Sequence, residues 1–329
     1  MKKNPITTSV DFEKNGVQHG FLKLPYSHDD SAWGSIVIPI TVAKNGNGPT
    51  ILFTGANHGD EYEGPVALFD LANQIQADKI SGRVIIIPCM NYPAFKASKR
   101  TSPIDGGNMN RVFPGNPDGS FTEKIADYFN RTLLPMADFV VDFHSGGKTL
   151  DFLPFCCAHV LDDKNQQEKC IAAMKAFNAP HSVMLLEIDA VNMYDTAAEN
   201  MGKVFISTEL GGGGSTTAYT VEIAKKGIRN ILCHAGITKG DLEVDDTLNL
   251  DMPDDSCYIF SESTGLVEHC VDLGDTVKVG QLIAKVHNIE RTGSHPDEYH
   301  AKIDGIFTGK HFPGLVVNGD FLGVIAVPV

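Results

Sequence analysis

The stretch TILFTGANHGDEYEG (Thr50–Gly64) is a strand, a turn and the start of a helix in fifteen residues. Thr50–Thr54 is a short apolar, β-prone run; glycine and small polar residues break it, and an amphipathic pattern follows over Gly64–Gln76. This strand–turn–helix unit is the repeating element of α/β folds. The same texture recurs on both sides. Strands are predicted at Ser35–Val42, Arg83–Pro88, Phe139–Phe143, Ser182–Leu186 and Val204–Thr208, and helices at Thr122–Leu134, Asn165–Phe177 and Thr217–Lys226. Short buried strands separated by helices predict an α/β domain with a mixed, mostly parallel sheet flanked by helices. Sheets of this kind place ligands at the carboxyl ends of their strands.

Beyond Ala235 the texture changes. Gly240–Asp255 carries Asp241, Glu243, Asp245, Asp246, Asp251, Asp254 and Asp255 without a Lys or Arg, and reads as a solvated connector. Cys257–Val329 contains no helical pattern. Its two glycine-punctuated stretches, GLVEHCVDLGDTVKVGQLIAKV from Gly265 and GIFTGKHFPGLVVNGDFLGVIA from Gly305, look alike. Paired hairpin-rich halves predict a small all-β, barrel-sandwich-like domain. The expected division is a catalytic domain over residues 1–245, the acidic connector over 240–255, and the β domain over 256–329. The β pattern resembles the biotinyl/lipoyl carrier fold, but His287–His300, which joins the halves, has no lysine to modify. A structural or substrate-shaping role is expected instead.

Composition bounds the function. The chain has 329 residues, 42% hydrophobic and 21% charged, with a net charge of −14. That charge argues against nucleic acid or anionic membrane as a partner. No run approaches the ~18 apolar residues of a membrane span, and MKKNPITTSV lacks the apolar core of a secretory signal. Seven cysteines without framework spacing fit reduced thiols, so a cytoplasmic protein is expected. A homo-oligomer is compatible with all of this.

In TGANHGDEYEG, His58 and Glu61 stand three apart across a glycine turn, close enough to reach one metal ion. Imidazole and carboxylate are ordinary zinc ligands, and a third ligand usually comes from far along the chain, leaving a position for water. His144 in VVDFHSGG, where a predicted strand meets a glycine turn, is the third candidate. Asp142 admits two readings: an acceptor for the distal nitrogen of a ligand histidine, or a strand-end residue facing solvent. Asp60 is expected to cap the following helix. His159, His181 and His234 lack matching partners in sequence and are read as structural.

The order HxxE, a downstream Asn-Arg pair, DxH and a late glutamate resembles the zinc carboxypeptidase clan. Within it, GANHGDEYEG, RTSPIDGGNMNRVFPG, DFHSGG and STELGGGG resemble the succinylglutamate desuccinylase/aspartoacylase family, in which a carboxy-terminal β domain recurs. The resemblance implies one zinc ion per chain and a substrate carboxylate gripped by Asn110 and Arg111, a role that suits the guanidinium fork. Arg100 would polarise the scissile carbonyl; the alternative for either arginine is a surface salt bridge of roughly 0–1 kcal/mol, which weighs more against Arg100 than against Arg111. Glu209, ending VFISTEL before four glycines, could act as general base and then as proton donor to the leaving amine. The glycines would allow close approach of substrate or backbone.

The expected reaction is hydrolysis of a small N-acyl amino acid. DFHSGGKTLDFLPF (Asp142–Phe155) looks closest to N-acetyl-diaminobutyrate deacetylases of ectoine breakdown, so N-acetyl-L-2,4-diaminobutyrate is a candidate substrate. Its cationic amine would meet Glu187, Asp189 or Asp195. Two rivals stand beside a succinylglutamate or aspartate deacylase: a metallo-carboxypeptidase and a non-catalytic binding protein.

Overall fold

The structure, a computed structural model, describes residues 3–329. Its principal sheet contains, in chain order, β1 (Gly16–Pro25), β2 (Ser35–Asn45), β3 (Thr50–Gly55), β4 (Gly82–Ile87), β5 (Phe139–His144), β6 (Leu150–Phe152), β7 (Phe155–His159), β8 (His181–Leu185), β9 (Val204–Glu209), β10 (Leu248–Asp251), β11 (Tyr258–Phe260), β12 (Gly305–His311) and β13 (Phe321–Pro328). Across the sheet the order is β1-β2-β4-β3-β5-β9-β7-β8-β10-β13-β12. The centre, β4-β3-β5-β9, is parallel. β1 and β2 extend it antiparallel on one side.

Every residue of β3 is buried, as expected for a strand covered on both faces. Its side chains alternate between two cores. Ile51 and Phe53 pack under α1 (Glu63–Gln74), α4 (Lys164–Phe177) and α6 (Ala218–His234), whereas Leu52 faces α3 (Phe121–Tyr128) and α5 (Tyr194–Glu199). A short α2 (Tyr92–Ala97) follows β4.

Two predicted helices differ in extent. The segment expected as Thr122–Leu134 leaves α-geometry after Tyr128 and continues as a π-turn over Phe129–Leu133. α6 runs past Lys226 to His234, through Gly227. A Cβ at Gly227 would lie 2.2 Å from the Phe177 ring, so the glycine permits close packing of α6 on α4 rather than ending the helix. Thr217 starts α6 with a capping box to Thr220.

The acidic connector is only partly solvated. Leu248–Asp251 forms β10, parallel to β8 and antiparallel to β13, with Leu250 buried beneath Phe155, Val183 and Val324. An apolar residue at alternate positions suffices to recruit this edge. Two of the acids are paired with α6, through Arg229–Glu243 at 2.6 Å and Lys226–Asp245 at 2.9 Å.

The carboxy-terminal strands are antiparallel among themselves, and Gly265–His269, Leu282–His287, Asp297–His300 and Leu315–Val316 form a separate four-stranded sheet. Ile259, Ile283, Val286, Phe307 and Ile325 share a core of their own. Two seams join this unit to the rest: β10 with β13, and β6 with β12 through the register Phe152↔Gly309. The second seam lies just after His144. No described helix is long and apolar enough to cross a membrane.

Candidate metal centre and substrate cavity

The parallel registers set the site. Gly55 of β3 pairs with Phe143 of β5, and His144 pairs with Glu209 of β9, so three strands end at the same level. After β3 the chain turns through Ala56, whose φ of 50° is left-handed and costly for a residue with a Cβ. Gly59 lies against α2, where a Cβ would stand 2.0 Å from the Ala94 carbonyl carbon. That turn brings His58 and Glu61 back over the strand end.

There His58 Nδ1 lies 2.8 Å from Glu61 Oε1, and His144 Nδ1 lies 3.0 Å from Glu61 Oε2. The candidate ligand atoms of all three residues fall within 4.8 Å of one another. Both Nδ1 atoms converge on one buried carboxylate, which fits a small divalent cation. Asp142 accepts from His144 Nε2 at 2.8 Å. A proton on Nε2 leaves the Nδ1 lone pair turned towards Glu61, the tautomer a metal requires. Thr54 Oγ1 and Asn57 Nδ2 donate to Asp142 at 2.6 and 3.1 Å, so this carboxylate faces protein and not solvent. Asp60 caps no helix: its Oδ2 accepts from the Lys148 amide at 2.9 Å and holds the loop after β5.

Burial, reinforced by Arg100, lowers His58 to about 4, so its imidazole is neutral and able to bind metal. Burial opposes charge on Glu61, but His58 and His144 outweigh it and hold the carboxyl far below its usual range. Burial likewise works against a charged His144, and Asp142 and Glu61 overcome it to raise that imidazole. Burial pushes Glu209 up to about 8, helped by Glu61 and opposed by His144 and Arg100. Glu209 Oε2 is buried without a hydrogen-bond partner, a costly state for a carboxylate oxygen.

A cavity of about 270 Å³ adjoins this cluster and is lined by His58, Arg100, Asn110, Arg111, His144 and Glu209. Of the seven candidate metal-binding, catalytic and carboxylate-binding residues, only the buried Glu61 is absent from the lining. Arg100 approaches Glu61 Oε1 to 3.6 Å with its side chain 43% exposed. Asn110 sits on a 3₁₀ turn, Met109–Arg111, that Asn108 caps. Its Oδ1 accepts from Tyr194 N at 3.0 Å and Asn57 Nδ2 at 3.3 Å, leaving Nδ2 as the donor offered to the cavity. The Arg111 guanidinium donates to the Asn110 carbonyl at 2.7 Å. The glycines after Glu209 serve backbone approach: Gly146 N and Phe152 N both donate to Gly211 O, and a Cβ on Gly212 would lie 2.0 Å from Leu150 O.

The far wall comes from elsewhere. Tyr258, Phe260 and Phe321 of the carboxy-terminal unit line it, together with Glu187 and Asp195. Asp189 does not; its Oδ1 accepts from Val191 N within its own loop. His159 is no lone structural histidine either, since its Nδ1 lies 2.8 Å from Glu199 Oε1 and its Nε2 lies 3.4 Å from Glu187 Oε1.

The model of the succinylglutamate desuccinylase/aspartoacylase catalytic domain matches residues 47–235, from the start of β3 to the end of α6. The chain belongs to this family. A curated family relative, the N-alpha-acetyl-L-2,4-diaminobutyric acid deacetylase of Halomonas elongata, is 55% identical over 99% of this chain and 96% of its own length. The product-bound structure of the ectoine utilization protein EutE (DoeB) from Ruegeria pomeroyi is 62% identical and superposes with a TM-score of 0.98, covering 99% of this chain and all of the other. A succinylglutamate desuccinylase structure from Silicibacter sp. TM1040 is 61% identical, with a TM-score of 0.97 over the whole of both chains.

The resemblance to this family was therefore legible in its motifs. Three features of the site and its surroundings were not. Asn57 is adjacent to His58 but carries no motif of its own. His159 meets a partner forty residues away, on α5. The aromatic wall reaches the cavity only through the seams with the carboxy-terminal unit.

Proposed function

We propose that this chain is a metal-dependent deacylase of small N-acyl amino acids, acting on N-acetyl-L-2,4-diaminobutyrate and releasing acetate and the amine. One observation carries this reading: a single cavity presents His58, His144, Glu209, Arg100, Asn110 and Arg111 together. The activities named for its relatives at 55% and 61% identity, a deacetylase and a desuccinylase, support amide hydrolysis of this class. A zinc ion held by His58, Glu61 and His144, one per chain, would supply Lewis acidity towards the acyl oxygen and a water activated at neutral pH.

The chain's own groups then have distinct tasks. Arg111 and Asn110 Nδ2 bind the substrate α-carboxylate and so orient the amide. Arg100 donates to the carbonyl oxygen as it gains negative charge. Burial raises Glu209, a shift that a cation in the neighbouring cluster would offset; the ionised carboxylate then takes the proton from the attacking water and returns it to the departing nitrogen. The walls from the carboxy-terminal unit limit the length of substrate and exclude bulk water. We assign residues 1–245 to the catalytic domain and 256–329 to a small barrel-sandwich that shapes the cavity, in a protein working in the cytoplasm. The acidic surface leaves nucleic acid and membranes outside its partners.

Steady-state assays of the metal-loaded enzyme on N-acetyl-diaminobutyrate, N-acetyl-aspartate, succinyl-glutamate and short peptides test this reading. N-acetyl-diaminobutyrate is expected to give the highest kcat/KM. A higher value for a doubly acidic substrate would replace the substrate assignment. Comparable release of carboxy-terminal residues from peptides would make the enzyme a carboxypeptidase instead.

A further inference from the structure

Charge is divided across the cavity. Among the described residues, Arg100 and Arg111 are the arginines of its lining and no lysine joins them; Arg100 stands 3.6 Å from Glu61, and Arg111 donates to the Asn110 carbonyl. Glu187, on the loop after β8, and Asp195, in the first turn of α5, add an acidic wall to the same cavity. A second cavity behind that wall shares both acids, adds Glu199, and has no lysine or arginine in its lining. Within this group His159 is 7% exposed, and its Nε2 has no hydrogen-bond partner although Glu187 Oε1 stands 3.4 Å away. One ligand atom from each of His159, Glu187 and Asp195 falls within 4.8 Å of the others. Even with a charged imidazole, Glu187, Asp195 and Glu199 outnumber the local cation three to one. Burial, together with Glu187 and Glu199, holds Asp195 up at about 6 against the pull of His159. So many carboxylates beside a single cation are costly in a half-buried wall unless a further cation joins them.

We propose that Glu187 and Asp195 form a subsite for a side-chain ammonium, that this subsite selects N-acyl diamino acids over neutral and acidic ones, and that His159 is a positioning residue. The inference rests on the deacylase reading and deepens it. With the α-carboxylate at Arg111 and Asn110, a short side chain stays within the same cavity, and an ammonium two methylenes out would meet the carboxylates of Glu187 and Asp195 that line it. An aspartate or glutamate side chain would bring a like charge there and be repelled. His159, bonded to Glu199 on α5 and facing Glu187 on the loop, ties the two segments that carry the acids.

The test measures kcat/KM of the metal-loaded enzyme for Nα-acetyl-L-2,4-diaminobutyrate, its neutral isostere Nα-acetyl-L-norvaline, and Nα-acetyl-L-aspartate. The ammonium substrate is expected to lead norvaline by ~10–100-fold, the range of a hydrogen-bonded charge, mainly through KM, with aspartate last. In Asp195→Asn and Glu187→Gln the ratio of ammonium substrate to isostere should collapse towards one. His159→Gln should raise KM for the ammonium substrate more than for the isostere, whereas loss of a purely structural histidine would raise both alike. Product inhibition of the wild-type enzyme needs no variant: L-2,4-diaminobutyrate should bind at least ~10-fold tighter than L-norvaline. Equal use of the ammonium and neutral substrates, with equal product inhibition, overturns the subsite while leaving the deacylase intact. Failure to hydrolyse any of the three overturns both readings. A second equivalent of tightly held metal that disappears in Asp195→Asn would make this wall a cation site of another kind and also overturn the proposal.

Discussion

The two ends of the cavity are built differently. At the metal end His58, Glu61, Asp142 and His144 sit at the termini of central parallel strands, linked by contacts of 2.8–3.0 Å. At the acidic end Glu187 is 23% exposed on a loop leaving β8, and its neighbours come from α5 and from the carboxy-terminal strands. Chemistry needs ligands held to within fractions of an ångström, which a sheet core supplies. Selectivity needs only charge and shape, which loops on a rigid scaffold can change without disturbing that core.

If this division is right, perturbing the metal end removes the reaction and perturbing the far wall redirects it. The largest effect is expected for His58→Ala or His144→Ala, which should lose both bound metal, by elemental analysis, and turnover. Full activity with wild-type metal content in either variant would dismantle the proposed centre. Glu209→Gln should retain the metal while kcat falls ~10²–10⁴-fold, the usual worth of a positioned acid–base group. A variant that keeps wild-type turnover would show that the base lies elsewhere. Asp142→Asn is expected to weaken metal affinity by ~10–100-fold, the usual cost of losing a partner to a ligand histidine; competition with a chelator reads this directly, and unchanged affinity would count against it.

The smallest effect sharpens the contrast from the other side. Tyr258 Oη donates to the Leu186 carbonyl at 2.7 Å and so fastens the carboxy-terminal unit to the loop bearing Glu187. Tyr258→Phe removes one hydrogen bond of ~0.5–1.5 kcal/mol. It should raise KM for the cationic substrate a few-fold with kcat and metal content unchanged. A fall in kcat with KM constant would mean that the two ends are coupled more tightly than their separate construction implies.

The same contrast explains what could be read in advance. The candidate metal ligands are legible because His58 and Glu61 are three apart on one turn and His144 ends an apolar strand; local pattern and local chemistry coincide there. The predicted helix ends at Lys226, one residue before Gly227; glycine normally weakens a helix, and only the Phe177 ring against it reveals its packing role. β10 reads as solvated chain because the connector that contains it carries seven acids and no Lys or Arg, which masks the alternation of Leu248 and Leu250. Asp60 stands just before a predicted helix, where a cap is expected, but the Lys148 amide it holds is eighty-eight residues away.

Sequence alone determined the α/β class, the β-rich carboxy-terminal segment, and the metal-ligand, carboxylate-binding and base candidates. These follow from periodicity and residue chemistry within a few positions of the chain. Tertiary structure decided that Glu209 stands beside His144, that Asp142 faces protein, and that Glu187, Asp195 and His159 form one wall with aromatic residues more than sixty positions further on. Those relations depend on strand register and on the seams between β10 and β13 and between β6 and β12, where contact is set by packing across the whole sheet.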